Sequence, residues 1–216
     1  MDIKIYKEFE HICSSLNVGG AILEVGAVPS EMSLLNMKCL KNVKEKIGIN
    51  LDGPYNYNDF QIIKCNANDM KIFEDDRFDT VLCNATLEHD KFFWKTISEI
   101  KRVTKSGGVI IIGLPGYTEL SIGYLIKKIH FISQYLKRRR DRITQKPQNS
   151  SLISLGINYL GNICSITPTF KIHNYPGDYY RFSVQTFKEV FFDGMYNVNI
   201  YTIMVPPRII GSGIMP

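Results

Sequence analysis

Ala21-Ile22-Leu23-Glu24-Val25-Gly26-Ala27-Val28-Pro29-Ser30 is the stretch from which the architecture can be read. An apolar run the length of one buried strand ends in a glycine, and Pro29 with Ser30 suits the start of a helix. Four similar runs follow, at 47–51, 60–64, 78–83 and 109–113. Each is short and nearly unbroken, as a strand covered on both faces requires. Met32, Leu35, Cys39 and Val43 predict a helix over 31–46 with Gly48 as its stop. Phe93, Ile97, Ile100 and Val103 predict another over 90–104, closed by Ser106-Gly107-Gly108. Strand runs that alternate with helical spacing make a right-handed βαβ series, hence an open, doubly wound, mostly parallel sheet.

Beyond Leu114-Pro115-Gly116 the pattern changes. Leu125, Ile129, Ile132 and Leu136 line one side of an amphipathic helix expected over 120–136, which runs into a polar stretch at 138–151. A short helix at 184–192 and strands at 198–205 and 208–211 complete a seven-stranded sheet.

The 216 residues suffice for one domain with a buried core, and 44% hydrophobic with 22% charged residues excludes disordered and fibrous classes. The net charge is +5, yet Lys127, Lys128, Lys137, Arg138, Arg139, Arg140 and Arg142 with Asp141 contribute +6 within 127–142, leaving the rest near −1. That is one local basic element, which suits an anionic membrane surface, an anionic acceptor or a solvated helix end. Charge confined to one element argues against a chain that coats nucleic acid over a whole face, and RNA binding is the weaker option because 138–142 lacks interleaved aromatics. Five cysteines at wide spacing, with no CxxC or Cys/His pair, give no metal ligand set and indicate a reducing, cytoplasmic compartment. Residues 1–16 do not read as a secretory signal, and no run of 18 apolar residues is present.

In an open α/β sheet the ligand crevice lies beyond the carboxyl ends of the strands. A dinucleotide GxGxxG would need glycine where Val28 and Glu31 stand. Glu24-x-Gly26-Ala27-x-Pro29-Ser30 instead resembles the first motif of class I S-adenosylmethionine-dependent methyltransferases, with Val28 in place of a second glycine. Asp75 to His89, carrying Phe78-Asp79-Thr80-Val81 and Leu87-Glu88-His89, is similar to the FDxVxxxxxLEH block of the type 11 branch. Glu99-Ile100-Lys101-Arg102-Val103 with Gly107-Gly108 resembles its partner block, and His173 to Ser183 resembles an H-x-x-P-x-D-Y-x-R-F segment of the same branch.

The resemblance implies a Rossmann-like α/β fold with helices on both faces and an inserted amphipathic helix after strand five. It implies one domain over 1–216: a cofactor-binding core at 20–115, a substrate-side insertion or lid at 116–182, and C-terminal helix and strands at 183–216. It implies S-adenosyl-L-methionine bound by Glu24, Gly26, Ala27, Asn50, Asp52, Asn66, Ala67 and Asn84. Asn50, Asp52 or both would take the ribose hydroxyls; Asn66 and the Ala67 N–H would meet adenine. Tyr175, Asp178, Tyr179 and Arg181 stand on the substrate side.

For an acceptor that must lose a proton, His173 is the first candidate base and His89 the second; packing or a lid held by Asp178 and Arg181 is the plainer use of these residues. Asp79 reads as holding a strand entrance. The expected function is in-line methyl transfer to a small-molecule, sugar or lipid-linked acceptor, in the cytoplasm or at a membrane periphery. The alternatives are a weakly active or inactive cofactor-binding regulator on the same fold, and an RNA methyltransferase.

Overall fold

The computed structural model describes residues 1–117, 135, 169–173 and 177–216. Helix α1 (Ile3–Ser15) precedes strand β1 (Ala21–Val25), and two short 3-10 turns, Leu34–Asn36 and Lys38–Leu40, lead to β2 (Glu45–Asn50). Strands β3 (Tyr55–Tyr57), β4 (Phe60–Lys64) and β5 (Phe78–Asn84) follow, then a 3-10 turn at Leu87–His89 and helix α2 (Phe93–Val103). Strand β6 (Thr104–Pro115), a helical turn at Val184–Thr186 continuing as a π-helix over Phe187–Phe191, and strands β7 (Tyr196–Met204) and β8 (Pro207–Ile214) complete the described elements.

They form a mixed α/β structure around one sheet in the order β3-β4-β2-β1-β5-β6-β8-β7. β4, β2, β1, β5 and β6 are mutually parallel, while β3, β8 and β7 pair antiparallel. Among the described residues the sheet has eight strands, where seven were expected. The extra one is β3, folded back on β4 through a tight turn with Asn58 at φ +51°, a backbone conformation that asparagine tolerates.

Side chains alternate across the sheet. Ala21, Leu23 and Val25 pack with Ile97, Ile100, Val103, Phe187 and Phe191 on the α2 face. Ile22 packs with Ile5, Phe9 and Ile12 on the α1 face. α1 and α2 thus pack on opposite faces among the described residues, and the predicted helix over 31–46 does not form. Ser30 accepts from the Met32 N–H at 3.0 Å and Asn36 Nδ2 donates to Ser30 O at 2.8 Å. The Leu34 and Leu35 N–H groups donate to the Glu24 carboxylate instead of to helical carbonyls. Serine and asparagine side chains offer the backbone such local alternatives to a helix. α1 covers that face in its stead, with Asp2 capping its first turn through the Lys4 N–H at 2.8 Å.

Apart from residue 135, the expected helix over 120–136, the polar stretch 138–151 and the basic element 127–142 lie outside the described residues. Among the described residues no helix is long and apolar enough to cross a membrane.

Candidate active site

β1 and β5 lie side by side at the centre of the sheet, and the strand order reverses between them, one half running outward through β2 and the other through β6. Such a switch point leaves a crevice beyond the strand ends. On the β1 side Gly26 turns at φ +82°, and a Cβ there would stand 2.1 Å from Thr86 Oγ1. Only glycine takes that conformation without strain, and only glycine leaves room for the neighbour. On the β5 side Ala85 is also left-handed, at φ +52°. Thr86 joins the two tips by donating to Val25 O at 3.2 Å. Asn84 Oδ1 is buried without a hydrogen-bond partner among the described residues, the kind of group that a polar ligand satisfies.

The Glu24 carboxylate is buried and turned to the α1 face, where it accepts from Ser33 Oγ at 2.5 Å, Leu34 N at 3.2 Å and Leu35 N at 3.3 Å. Burial pushes its pKa up, against the pull of those three donors. Through these three donors Glu24 anchors the 33–35 turn. Ala27 is fully buried, and its N–H and that of Gly26 both reach Ile49 O. Val28 is 47% exposed and points away from the core.

At the next tip Asn50 ties two loops together: Nδ2 donates to Ala27 O at 2.7 Å and Oδ1 accepts from the Asp52 N–H at 3.1 Å. The exposed Asp52 carboxylate has no partner among the described residues. Asn66 is exposed, its Oδ1 engaged by the Asn68 N–H at 3.0 Å, with Ala67 half-buried beside it. Asp79 holds the entrance of β1, as expected, accepting from Ala21 N and Lys105 Nζ at 2.7 Å each.

A second group gathers past Thr86. His89 and His173, far apart in sequence, meet ring to ring at 4.8 Å. Tyr175 lies outside the described residues. Tyr179 is exposed, and its N–H and that of Tyr180 donate to Glu88 O. Asp178 and Arg181 bind one another through both ends of the guanidinium, which also reaches Phe170 O, Lys171 O and Tyr180 O. That pairing holds the Asp178 carboxyl well below the usual range, and it forms a clamp across 170–181. Asp178 also accepts from the His173 N–H at 2.8 Å.

Sequence reasoning left two participants unused, Glu88 and Arg208. Glu88 is completely buried, with neither oxygen hydrogen-bonded among the described residues. Arg208 Nη1 lies 3.7 Å from it. A charged side chain inside an otherwise apolar terminal strand was the available signal for Arg208.

Residues 33–112 match the family model described as a methyltransferase domain, of type 11. Over those 80 of the 216 residues the chain resembles a methyltransferase domain. The matched segment runs from the Glu24-bound turn into β6 and carries Asn50, Asp52, Asn66, Ala67, Asn84 and His89. No curated protein matches the chain.

Among solved structures, the domain and its flanks resemble the 1,6-didemethyltoxoflavin-N1-methyltransferase of Burkholderia thailandensis, at TM-score 0.60 and 10% identity over 97% of this chain and 77% of that one. A SAM-dependent methyltransferase of Archaeoglobus fulgidus gives TM-score 0.57 and 14% identity over 97% and 92%. A phosphoethanolamine N-methyltransferase of Haemonchus contortus gives TM-score 0.57 and 12% identity, and here the chain, matched over 97%, spans about half, 52%, of that protein. At such identities the likeness shows the fold. Two of these neighbours are named with S-adenosylmethionine or its product: the Burkholderia thailandensis enzyme holds S-adenosylhomocysteine and the Archaeoglobus fulgidus protein is SAM-dependent. The Gly26 turn, which a side chain would fill, and the unpartnered Asn84 oxygen at the adjacent tip fit such a ligand.

Proposed function

We propose that the chain transfers a methyl group from S-adenosylmethionine to a small-molecule, sugar or lipid-linked acceptor. The observation that carries this reading is the Gly26 turn beside Asn84–Thr86 at the switch point of the sheet, with the imidazoles of His89 and His173 gathered next to it. Bound S-adenosylmethionine supplies a methyl group already activated on a sulfonium.

The task left to the chain is alignment, which can contribute on the order of 7–11 kcal/mol. Gly26 and Ala27 form the floor of the cofactor crevice, and Glu24 serves by fixing the 33–35 turn against it. Asn50 holds the loop from which Asp52 meets the ribose hydroxyls with its two acceptor oxygens. Asn66 and Ala67 take the adenine edge, and the Asn84 oxygen accepts from the cofactor. The core is 20–115, 116–182 lies on the substrate side, and 183–216 completes the sheet.

An acceptor hydroxyl would lose one proton on methylation, and the chain's part is to hold its oxygen in line and take that proton up. Its proton goes to His173, with His89 as the second nitrogen in reach. Neighbouring folds act on small molecules: one carries 1,6-didemethyltoxoflavin and another phosphomonomethylethanolamine. Those names support an acceptor of that size. The compartment we propose is the cytoplasm, with the basic element 127–142 resting on anionic membrane lipid.

Incubation with S-adenosylmethionine and a panel of small hydroxyl, amine and sugar acceptors tests the reading. Formation of S-adenosylhomocysteine that depends on one acceptor class and falls at least tenfold in Asp52→Ala supports it. Cofactor binding without turnover on any member favours a regulatory protein.

A further inference from the structure

Three side chains with metal-binding atoms converge at the carboxyl end of β5: Glu88 and His89 on one short turn, and His173 from the segment ahead of the Asp178–Arg181 clamp. One donor atom of each lies within 4.8 Å of the other two. We infer that Glu88, His89 and His173 form a binding site for a divalent cation of the zinc class. Sequence spacing hides this set because the third member lies far along the chain.

Glu88 gives the first argument. A fully buried carboxylate is ordinarily satisfied by donors or paired with a charge at hydrogen-bonding distance. Glu88 has neither among the described residues: both oxygens lack partners. The nearest cationic nitrogen, Arg208 Nη1, stops at 3.7 Å, and the Arg208 guanidinium lies 5.0 Å over the Phe170 ring. The buried Nε and Nη1 of Arg208 are themselves without partners, so the two groups face each other without closing.

The second argument is the tautomer of His89. Its Nδ1 is hydrogen-bonded to Gly177 O. A carbonyl only accepts, so the proton sits on Nδ1 and the lone pair on Nε2, which lies 3.8 Å from Glu88 Oε1. A backbone carbonyl behind one nitrogen and a ligand position at the other is how proteins orient metal-binding imidazoles. His173 is held through its backbone, whose N–H donates to Asp178 Oδ2 at 2.8 Å, and its buried Nδ1 has no hydrogen-bond partner among the described residues, which leaves a ring nitrogen to be satisfied by a ligand.

Two neutral imidazoles and one carboxylate suit zinc, cobalt and related ions better than magnesium or calcium, which take oxygen sets. Ligand bonds of about 2.0–2.2 Å require the donor atoms, now within 4.8 Å of one another, to approach to roughly 3.3 Å, so the widest pair must close by about 1.5 Å around the ion. Three protein ligands leave a fourth position open. Glu88, Asp178, Arg181 and Arg208 sum to no charge, so the ion favours an anionic oxygen in that position. On the methyl-transfer reading that oxygen is the acceptor's. The ion would then take over the proton-removing task from the imidazoles by acidifying a coordinated hydroxyl, which releases its proton to solvent. Binding of the ion itself does not rest on that reading.

The test uses the full chain stripped with chelator and titrated with zinc by calorimetry and with cobalt by visible absorption, in the absence of cofactor and acceptor. One ion per chain is expected, with a cobalt spectrum that lacks thiolate charge transfer. Affinity should fall at least tenfold in Glu88→Gln and in His173→Asn, and zinc should raise the melting temperature of the native chain but not of His173→Asn. His173 is a third exposed, so its variant decides the matter if Glu88→Gln does not fold. No binding, unchanged affinity in His173→Asn, or a thiolate spectrum overturns the inference. S-adenosylhomocysteine titrated into the stripped protein separates the two proposals: its binding without zinc binding removes only the ion site, and zinc binding without it removes only the cofactor reading.

Discussion

A Cβ on residue 26 would stand 2.1 Å from the Oγ1 of Thr86, so the tips of the two central strands close on each other only because Gly26 has no side chain. Two costs follow for Gly26→Ala, the left-handed φ of +82° and the collision with Thr86. Together they should remove about 1–3 kcal/mol of stability. Adding Thr86→Ala should return the part due to collision and leave the part due to φ. Urea unfolding of the two single variants and the double variant reads this directly; equal stability of Gly26→Ala and the double variant would show that the tips do not touch.

Glu24 makes stability depend on pH in a direction opposite to most carboxylates. Burial raises its pKa above its ordinary value of about 4.5, so the folded chain holds the proton more tightly than the unfolded one. The stability contributed by this group is complete below that value and declines as pH rises through the folded pKa. Glu24→Gln is neutral at every pH, so its stability relative to the native chain should improve between pH 4.5 and pH 8. Denaturant midpoints at the two pH values check it, and a gap that stays constant would place the Glu24 charge elsewhere.

Much of the layout was legible because periodicity reports burial. β1 and β4 span the predicted residues, 21–25 and 60–64, since each run is apolar on both faces. The failure at 31–46 has a physical cause: Met32, Leu35, Cys39 and Val43 keep helical spacing, but a buried carboxylate on the neighbouring strand captures the N–H groups a helix would use. α1 was missed although Asp2 and the apolar residues Ile5, Phe9, Ile12 and Cys13 carry a cap and a stripe. At the site, sequence named both histidines but not their meeting, because contact between 89 and 173 is set by the chain's return past β6 rather than by local pattern.

Arg102 explains the Glu-Ile-Lys-Arg-Val block in structural terms. Its guanidinium holds Glu99 through two nitrogens at 2.8 and 2.7 Å, Asp75 at 2.6 Å, and the carbonyls of Phe73 and Met70 at 3.0 and 3.1 Å. A lysine brings three donors on one atom and cannot reproduce that fork. Arg102→Lys should cost about 2–3 kcal/mol through the carbonyls left without donors, measured by thermal or urea unfolding. A loss below 0.5 kcal/mol, the level of ordinary surface changes, would contradict the clamp.

Cys39 should be the most reactive thiol among Cys13, Cys39, Cys65 and Cys83. The neighbouring Cys13 thiol pulls Cys39 down to about 7, with burial opposing, whereas Cys13 is pushed up. Iodoacetamide at pH 8 is expected to alkylate Cys39 first, with a rate midpoint near pH 7 that moves upward in Cys13→Ala. Peptide mapping by mass spectrometry reads the order. Labelling of Cys13 ahead of Cys39 would reverse the assignment.

Calorimetric titration of the native chain and of Gly26→Val with S-adenosylhomocysteine bears most directly on the cofactor crevice. One site per chain in the native protein, and none in a Gly26→Val variant whose circular dichroism still shows a folded chain, is the result predicted. Absence of binding heat in the folded native chain, or equal affinity in the two proteins, would contradict the placement of the cofactor at the tips of β1 and β5.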